Sequence, residues 1–548
     1  MLLSSEHEMK PAIRGSTSEE THHEASNSTK FADIAIDAKD ATDKEHAMSL
    51  REAIRLYPKA IAWSMFLSSA VAMEGFQLVL IASFFAFPPF TRKFGELQPD
   101  GSYEVTASWQ SALSNGARVG EILGLTLNGI IAERYGYRMT IIGTLVLMIA
   151  FIFILVFAQN IGTLMAGEIL MGIPWGVFQT LTTTYAAEVC PVVLRGYMTT
   201  YVNLMWGVGQ LVGVGVLRGL LQRSDQWTYR IPYALQWMWP PVLLIGTMLA
   251  PDSPWWLARR SRYDDAKKVL RRLTTTASAT DINQTVAMMR HTAELEKELF
   301  DGTSYWDCFK GTDLRRTEIV CIAWAIQSLC GSALTGSSAY FYKQVGLNTA
   351  VSFDFSMALH AIGISGVIIA WFAIHRFGRR TLHLAGLSAM CLVLVIIGFV
   401  ALAPATAKGP SFAIGSLTLV WALCYNITVG PMTFSIVTEI PSDRLRTKTV
   451  VLGRNLYNVV GIVNGVITPR MLNPSAWNWK GKAGLFWAGM CFLCLVWSYF
   501  RLPEPKGRTY GEMDALFKRK VSARKFRTTA AELFSAEVDE RATTKDAN

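Results

Sequence analysis

The sequence predicts an all-α integral membrane protein with twelve transmembrane helices arranged as two similar six-helix halves. Three observations carry this prediction: an apolar composition, a series of long apolar segments, and motifs of the first half that recur in the second. Of the 548 residues, 51% are hydrophobic and only 17% are charged, whereas soluble proteins carry about 25% charged residues. The charged residues concentrate in 1–58, 252–312 and 503–548, and the chain between these segments is mainly apolar.

The apolar segments have about the length that a membrane span requires. A helix rises about 1.5 Å per residue, so about 20 residues cross a hydrocarbon core of roughly 30 Å. Six such segments precede a polar, helix-prone stretch and six follow it. The predicted spans are 60–83, 107–131, 139–158, 161–187, 197–221 and 231–250, then 314–342, 352–374, 382–404, 411–438, 447–470 and 484–502.

Short motifs at the ends of the spans recur in the same order about 250 residues later. The pairs are Tyr135–Arg138 (YGYR) with Phe377–Arg380 (FGRR), Glu188 and Leu194–Arg195 with Glu439 and Leu445–Arg446, and Pro251–Pro254 (PDSP) with Pro503–Pro505 (PEP). Such echoes indicate a duplicated six-span unit, and parallel repeats of this kind are typical of transporters. The predicted organisation is a tail (1–58), a first bundle (59–250), a helical linker (251–312), a second bundle (313–502) and a second tail (503–548).

The net charge of +10 does not indicate a nucleic-acid partner, because Lys and Arg lie beside apolar segments and in the tails. Short loops on the two sides carry similar numbers of basic residues, so their charge leaves the orientation open, while the basic linker and C-terminal tail favour the cytoplasm. The sequence shows no nucleophile–base pair, phosphate-binding loop or metal cluster. We therefore predict no enzyme, no cofactor and no metal.

Six charged or titratable residues fall inside predicted spans, where an unpaired charge costs several kcal/mol. One interpretation is structural pairing, for instance of Arg118 with Glu121 or Glu168; the other is a pathway for protons or substrate. Glu74 and Glu121 lie deepest in glycine-interrupted helices and are the strongest candidates for carrying a proton. The full set is Glu74, Arg118, Glu121, Glu168, His360 and Arg454.

A second group of charged residues lies at the span ends that face the linker. Glu188 and Glu439 close the fourth and tenth spans and could pair with arginines of the opposite half to form a gate. The alternative is that these residues anchor helix ends at the lipid headgroups. The arginines are Arg134, Arg138, Arg195, Arg376, Arg379, Arg380, Arg444 and Arg446.

Polar and aromatic residues within the spans of both halves form a third group. Amide groups can donate to and accept from sugar hydroxyls, and aromatic rings stack on sugar faces. The group could therefore line a cavity for a hydroxyl-rich ligand, although each residue alone could equally make interhelical hydrogen bonds. Its members are Gln210, Gln236, Gln327, Ser328, Asn426, Phe434, Tyr457 and Asn458.

Five longer motifs connect the chain to a known family. They are Arg230–Gln236 (RIPYALQ), Pro251–Leu257 (PDSPWWL), Pro503–Thr509 (PEPKGRT), Gly172–Gly176 (GIPWG) and Glu439–Pro441 (EIP). Across residues 55–517 the chain resembles the sugar porters of the major facilitator superfamily, and among them the fungal maltose and α-glucoside permeases. The resemblance implies a cytoplasmic N-terminus and linker, a central sugar site and, in many members, proton symport. We also expect a monomer in the plasma membrane with both termini cytoplasmic.

The resemblance also assigns roles to particular residues. Gln210 and Gln327 match glutamines that bind sugar, and Phe434 stands where many relatives place a tryptophan facing the sugar. Ser328 replaces the second glutamine of a Gln-Gln pair, which suits a larger or altered ligand better than glucose.

The first span departs from the family pattern at one position. The family's proton-coupling aspartate matches Gln77, which cannot titrate, whereas Glu74 and Glu121 match other family carboxylates. Coupling could therefore run through those two carboxylates or be weakened to facilitated transport, and Arg454 is a further candidate for coupling.

The sequence therefore predicts a transporter of a carbohydrate, an α-glucoside such as maltose, by alternating access. Two alternatives remain: a transporter of another small polar metabolite on the same fold, and a nutrient sensor that uses a transporter fold as a receptor.

Overall fold

The computed structural model describes residues 48–98, 101–223, 225–275, 279–300, 304–403, 408–506, 510–526 and 529; most of both predicted tails lies outside these ranges. The first half contains α1 (Leu50–Leu56), α2 (Pro58–Ser68), α3 (Ala70–Phe84), α4 (Pro88–Phe94), β1 (Glu96–Leu97), β2 (Tyr103–Glu104), α5 (Ala107–Tyr135), α6 (Tyr137–Val156), α7 (Ile161–Val189), α8 (Val192–Leu220), α9 (Trp227–Leu235) and α10 (Trp239–Leu249). Strands β1 and β2 form a small antiparallel hairpin.

The linker contains α11 (Pro254–Arg259), α12 (Tyr263–Leu273) and α13 (Ala279–Phe300). The second half and the segment after it contain α14 (Gly311–Leu329), α15 (Ser332–Gly336), α16 (Ser338–Gln344), α17 (Thr349–Arg376), α18 (Arg379–Val400), α19 (Lys408–Ile427), α20 (Val429–Glu439), α21 (Arg446–Leu472), α22 (Ala483–Arg501) and α23 (Tyr510–Lys518).

Nine helices in the described residues are long and apolar enough to cross a membrane, with mean hydropathies between 1.3 and 2.9. The other three spans of the predicted twelve are also helical. Helix α5 is too polar to qualify by composition, since it carries Arg118 and Glu121. The sixth span is divided by a 3-10 turn at Gln236–Met238. The seventh is divided after α14, where Gly331 adopts a φ of +102° that favours glycine.

The predicted spans at 314–342 and 411–438 are helical in the structure, but each is interrupted. The seventh span is α14, α15 and α16, and the tenth is α19 and α20 with a break at Thr428, whose φ of −118° and ψ of −87° are not helical. Broken helices in membrane proteins expose backbone carbonyls that neighbouring side chains must satisfy. Both breaks lie beside residues of the candidate site described below.

The same helix pairs pack together in both halves. Helices α5 and α7 correspond to α17 and α19, α3 and α8 correspond to α14 and α21, and α6 and α10 correspond to α18 and α22. Small residues permit the closest approach: a Cβ at Gly120 or Gly172 would overlap the facing backbone of α7 or α5. The duplication that the motifs predict is thus visible as repeated packing.

Each of the proline-acid motifs caps a helix at its start. Glu504 accepts hydrogen bonds from the backbone N–H groups of Arg379 at 2.8 Å and Arg380 at 3.2 Å, at the first turn of α18. A Cβ at Gly378 would overlap the Glu504 carboxylate, so a larger residue there would displace the cap. A carboxylate at a helix start is stabilised by the unpaired N–H groups and by the helix dipole.

Asp252 makes the equivalent cap at the start of α6, where the backbone N–H groups of Tyr137 and Arg138 donate to its carboxylate. Gly136 adopts a φ of +87°, and a Cβ there would lie 3.1 Å from Asp252 Oδ2. Burial raises the pKa of the Asp252 carboxyl above its ordinary value, and the backbone donors oppose that rise. The recurring sequence motif therefore builds the same cap twice.

The linker helices pack on the end of the first half where the sixth span leaves the bundle. Trp256 Nε1 donates to the backbone carbonyl of Glu133 at 3.1 Å, and Arg259 pairs with Glu188. Apolar residues such as Leu257 and Leu270 join α11, α12 and α13 in a small core of their own. We call this end of the bundle the linker side, and the opposite end, which carries the hairpin at 96–104, the hairpin side.

The two halves are held together on the hairpin side. Arg218 of α8 pairs with Asp354 of α17, with 2.7 Å between Nε and Oδ1. Glu104 of β2 accepts from the Tyr340 hydroxyl at 3.0 Å and from the Gln344 amide at 3.1 Å, both on α16. Helix α5 also packs against α21, and α8 against α17. These contacts close the hairpin side of the interface between halves.

Candidate functional site

A chain of three polar side chains links the two halves at the centre of the bundle. Glu74 of α3 is buried, and its Oε1 accepts a hydrogen bond from Gln179 Nε2 of α7. The Gln179 Oε1 in turn accepts from Arg454 Nη2 of α21. The amide of Gln179 thus connects a carboxylate of the first half to a guanidinium of the second half. We call these three residues the central link.

Aromatic rings surround the Arg454 guanidinium. Its Cζ lies 4.9 Å from the ring centroid of Trp324 and 4.7 Å from that of Tyr457. Trp324 also contacts Phe434 edge-on, with 5.0 Å between the ring centroids. A cation over an aromatic face is stabilised by about 0.5–2 kcal/mol, the larger values applying to desolvated sites. Arg454 is half-buried, and the two rings flank its guanidinium.

Glu121 belongs to the same charge cluster as the central link. It lies on α5, is 4% exposed, and is acted on electrostatically by Arg118 and Arg454. Glu74 and Glu121 also act on each other. The Arg118 guanidinium lies against Gly461 of α21, where a Cβ would overlap it. The cluster therefore sets two carboxylates of the first half against cations from both halves.

Gln77 belongs to a separate cluster within the first half. Its Nε2 donates to Glu168 Oε1 at 2.7 Å, and its Oε1 accepts from the Gln236 amide. The Tyr233 hydroxyl also donates to Glu168 Oε1, at 3.4 Å. All four residues are buried. Of the two partners that the structural interpretation offered for Arg118, the structure brings it to Glu121, on which it acts electrostatically, whereas Glu168 is held by neutral donors.

Amide groups of the second half satisfy backbone carbonyls near the helix breaks. Gln327 Nε2 donates to the carbonyl of Gly430 at 2.9 Å, beside the break between α19 and α20. Asn464 Nδ2 donates to the carbonyl of Ser328 at 2.8 Å, where α14 ends. Asn458 is fully buried, and neither atom of its amide has a hydrogen-bond partner among the described residues. A buried amide without a partner is unusual, and at 0% exposure the Asn458 side chain does not face open space in this conformation.

Two other predicted binding residues lie at contacts between helices. Gln210 is half-buried in α8, the helix that packs against α17 of the other half. Asn426 of α19 donates to the carbonyl of Ala422 at 2.9 Å and packs against Gly363 and Gly366 of α17. Asn426 thus has the position of an interhelical contact, which the sequence left as the alternative to a binding role.

Comparison with protein families decides what kind of protein carries this arrangement. A family model described as "Sugar (and other) transporter" matches residues 63–517. The chain belongs to the sugar transporter family. This membership confirms the prediction of a multi-pass membrane transporter rather than an enzyme, and it confirms the family that the motifs indicated.

Individual relatives of the sugar transporter are similar over almost its whole length. It is 41% identical to the Saccharomyces cerevisiae maltose permease MAL31 over 508 residues, which cover 91% of this chain and 82% of that protein. It is also 41% identical to the Saccharomyces cerevisiae alpha-glucosides permease MPH3 over 514 residues, covering 92% and 85% of the two chains.

A solved structure with the same fold is the Escherichia coli xylose transporter XylE in a partially occluded inward-open conformation. The TM-score is 0.67 at 17% identity, and the match covers 82% of this transporter and 99% of that chain. The likeness confirms the predicted major facilitator fold of twelve helices in two halves.

The predicted gate residues of the transporter lie on the linker side, as their sequence positions imply. Glu188 accepts from the Tyr137 hydroxyl at 3.0 Å and also from Ser253 and Arg259, whereas Glu439 pairs with Arg379 at 3.1 Å. Both carboxylates therefore pair within their own half or with the linker in this conformation, and the gate remains a prediction.

The other gate arginines mostly hold nearby backbone groups or rings. Three of them donate to backbone carbonyls: Arg138 to Met248, Arg195 to Cys190 at 3.3 Å and Arg380 to Tyr499 at 2.7 Å. Arg134 lies over the Tyr135 ring, and Arg444 pairs with Asp313 at 3.6 Å. Arg376 is the last residue of α17, and Arg446 is the first of α21.

Sequence reasoning missed two residues at the centre of the site. Gln179 was overlooked because a lone amide in a span carries no charge to flag it, and Trp324 because tryptophan is common in apolar helices. The one available signal was their position, because each lies well inside a predicted span. Those two spans, the fourth and the seventh, share no repeat motif and no charge pattern that would link them. Their roles became visible only when α7, α14 and α21 were brought together.

Proposed function

We propose that this transporter carries an α-glucoside such as maltose across the plasma membrane. The observation that carries the proposal is the identity of 41% over 91% of the chain to a maltose permease. The arrangement of the second half agrees with it, since Trp324, Phe434 and Tyr457 form an aromatic cluster. Asn458, which follows Tyr457 in the sequence, has a buried amide without a partner among the described residues. Rings and amides are the groups that bind sugar faces and hydroxyls.

Transport by alternating access would move the bundles 59–250 and 313–502 against each other as rigid units around the central link. The hairpin side is closed by the Arg218–Asp354 pair and by the contacts of Glu104. For the transporter to open there, Glu188 and Glu439 would exchange their present partners for arginines of the other half and close the linker side. We propose that the linker and both termini lie in the cytoplasm and that the transporter acts as a monomer.

Proton coupling would run through the central link. Protonation of Glu74 removes its negative charge and weakens its attraction through Gln179 to Arg454. The central link between the two halves is therefore weaker when Glu74 carries a proton. Deprotonation restores the link. A related fold described as a proton:xylose symporter supports coupling as a property that this architecture can carry.

Uptake in cells without their own α-glucoside permeases tests the function directly. We expect labelled maltose to accumulate in cells expressing the full chain and to stay at background in cells carrying an empty vector. Uptake of a different small polar solute, with no uptake of any glucoside at normal surface expression, would establish the second candidate function instead. Surface expression with no transport of any solute, together with a ligand-dependent cellular response, would indicate a sensor.

Glu74→Gln is expected to uncouple transport. The amide imitates the protonated carboxyl and still accepts from Gln179, so the site remains intact while its proton can no longer be released. Accumulation of maltose against its gradient should be lost, whereas exchange of internal for external maltose should continue. Glu133→Gln, at an exposed position on α5, is the control and should accumulate maltose normally. Full accumulation by Glu74→Gln would exclude Glu74 as the coupling group.

A further inference from the structure

The segment after the last span folds back onto the linker side of the second half. Met513, Leu516 and Phe517 of α23 are buried in an apolar cluster with residues of α14 and α20. Arg316, which is 4% exposed, pairs with Asp514 and lies over the Phe517 ring with 4.5 Å between Cζ and the ring centroid. The first turns of the seventh span therefore bind the C-terminal segment through an ion pair, a ring contact and apolar packing.

A cavity of about 490 Å³ opens where this segment meets the ends of the seventh and twelfth spans. It is lined by Gly311 and Thr312 at the start of α14 and by Phe500 at the end of α22. Three cationic side chains also line it: Arg315, Arg501 and Lys520. None of the described residues that line it is acidic. The cavity is therefore built from positive charge, rings and the N-terminal end of a long helix.

The cations of the cavity are only partly neutralised by the protein. Arg501 pairs with Glu318, with 3.0 Å between Nε and Oε1. Arg315 donates from Nη1 to the carbonyl of Val521 at 2.8 Å, but its Nε is enclosed and has no acceptor among the described residues. Arg501 repels Arg315, and Glu318 attracts it. The side chain of Lys520 has no ion-pair partner in the described part of the chain. An anion between these groups would supply the missing acceptor and relieve the repulsion.

The backbone at Lys520 is in a conformation that glycine normally occupies. Helix α23 ends with a hydrogen bond from Val521 N to Leu516 O at 3.2 Å and another from Lys520 N to Phe517 O at 2.9 Å. This is the helix ending in which the left-handed residue is usually glycine, and Lys520 has a φ of +52°. Three other described non-glycine residues also have a positive φ, but Lys520 lines the cavity, and this position motivates a functional role for its side chain.

The chemistry of the cavity matches a phosphate group. Guanidinium and ammonium groups bind phosphate through charge-assisted hydrogen bonds, and helix N-termini add backbone donors. Half-exposed Tyr499 and Phe500 lie on the surface of α22 at its end, where aromatic residues sit at a membrane–water interface. Arg524 lies over the Phe500 ring, 5.5 Å from its centroid. The cavity thus opens at the level of the lipid headgroups.

We propose that this cavity binds a phosphate-bearing anion, the headgroup of an anionic membrane lipid, and that the bound headgroup fastens the C-terminal segment to the second half. Lipid and free phosphate offer the same group, but only a lipid also covers the exposed rings of Tyr499 and Phe500. Membrane composition would then control how firmly residues 510–526 are docked.

The test uses the purified full chain in detergent and follows its thermal unfolding midpoint with three probes. Dioctanoyl phosphatidic acid should raise the midpoint and protect the C-terminal segment from trypsin, whereas dioctanoyl phosphatidylcholine should do neither. Inorganic phosphate at the same concentration should have a smaller effect. An effect of inorganic phosphate equal to that of phosphatidic acid would support the site and assign it to a soluble anion. No effect of either anion would overturn the proposal.

Variants separate a binding role for Lys520 from a structural one. Lys520→Gly relieves the left-handed backbone and removes the charge, so the midpoint without lipid should be unchanged or higher while the shift caused by phosphatidic acid is largely lost. Arg315→Gln should also reduce the shift, and Lys518→Gln, an exposed lysine outside the cavity, should retain it. A full lipid shift in both Lys520→Gly and Arg315→Gln would show that the cavity does not bind the headgroup.

Discussion

Replacement of Arg454 by methionine is expected to reduce the initial rate of maltose uptake by at least about 100-fold. Methionine fills much of the same volume but cannot donate to Gln179, and it leaves the carboxylates of Glu74 and Glu121 without the cation of the second half. Removing one partner of a buried charge pair costs about 3–5 kcal/mol. Arg454 is only half-buried, so we take the lower end of that range, and each 1.4 kcal/mol corresponds to about tenfold.

Two further variants define what Arg454 contributes. Arg454→Lys keeps the charge but loses the planar group that lies over Trp324 and Tyr457, so it should retain a small fraction of the uptake rate. Arg470→Gln is the control, because Arg470 lies at the other end of α21 and donates to the carbonyl of Val466 on its own helix. It should transport normally. Uptake by Arg454→Met within a few fold of the unchanged protein, at equal surface expression, would remove the central link from the mechanism.

The fold was predictable because its causes are local and repeated. Apolar length alone locates most spans, and the carboxylate caps at Asp252 and Glu504 leave a motif at each repeat that can be recognised in the sequence. The breaks in the seventh and tenth spans were missed. Gly331 breaks its helix through a positive φ, and Thr428 through a non-helical φ and ψ, so neither leaves a signal distinct from the many small residues in other spans.

The candidate site was predictable only in part. Charged residues such as Glu74 and Arg454 stand out in apolar segments because burying a charge is costly. Their partners do not, since which helix faces which is set by the packing of the whole bundle. Glu74 and Gln77 are one turn apart on α3. Glu74 accepts from Gln179, which connects it to Arg454, whereas Gln77 bonds to Glu168 and Gln236. Sequence spacing placed both in one site, and the structure places them in two clusters.

Because Gln77 and Glu74 lie in separate clusters, Gln77→Glu tests whether the Gln77 cluster takes part in proton coupling independently of Glu74. The substitution is nearly isosteric and would place a second carboxyl group where the Gln77 amide now lies, 2.7 Å from Glu168 Oε1. Two carboxylates at that distance in a buried cluster cannot both ionise, so they would share a proton whose release depends on pH. Aspartate is one methylene shorter and would meet Glu168 less directly. We expect maltose accumulation by Gln77→Glu to fall more steeply with rising external pH than that of the unchanged transporter.

The matched control for that substitution is the exchange of the two groups. Gln77→Glu combined with Glu168→Gln restores one carboxyl and one amide to the same pair, and Gln236 and Tyr233 can still donate to them. If the steeper pH dependence arises from the shared proton, the double variant should return to the pH profile of the unchanged protein, because the cluster again holds a single carboxyl group. A steep profile in the double variant would instead place the effect at position 77 itself. An unaltered profile in Gln77→Glu would mean that this cluster does not communicate with transport, and coupling would then have to reside in the carboxylates that face Arg454.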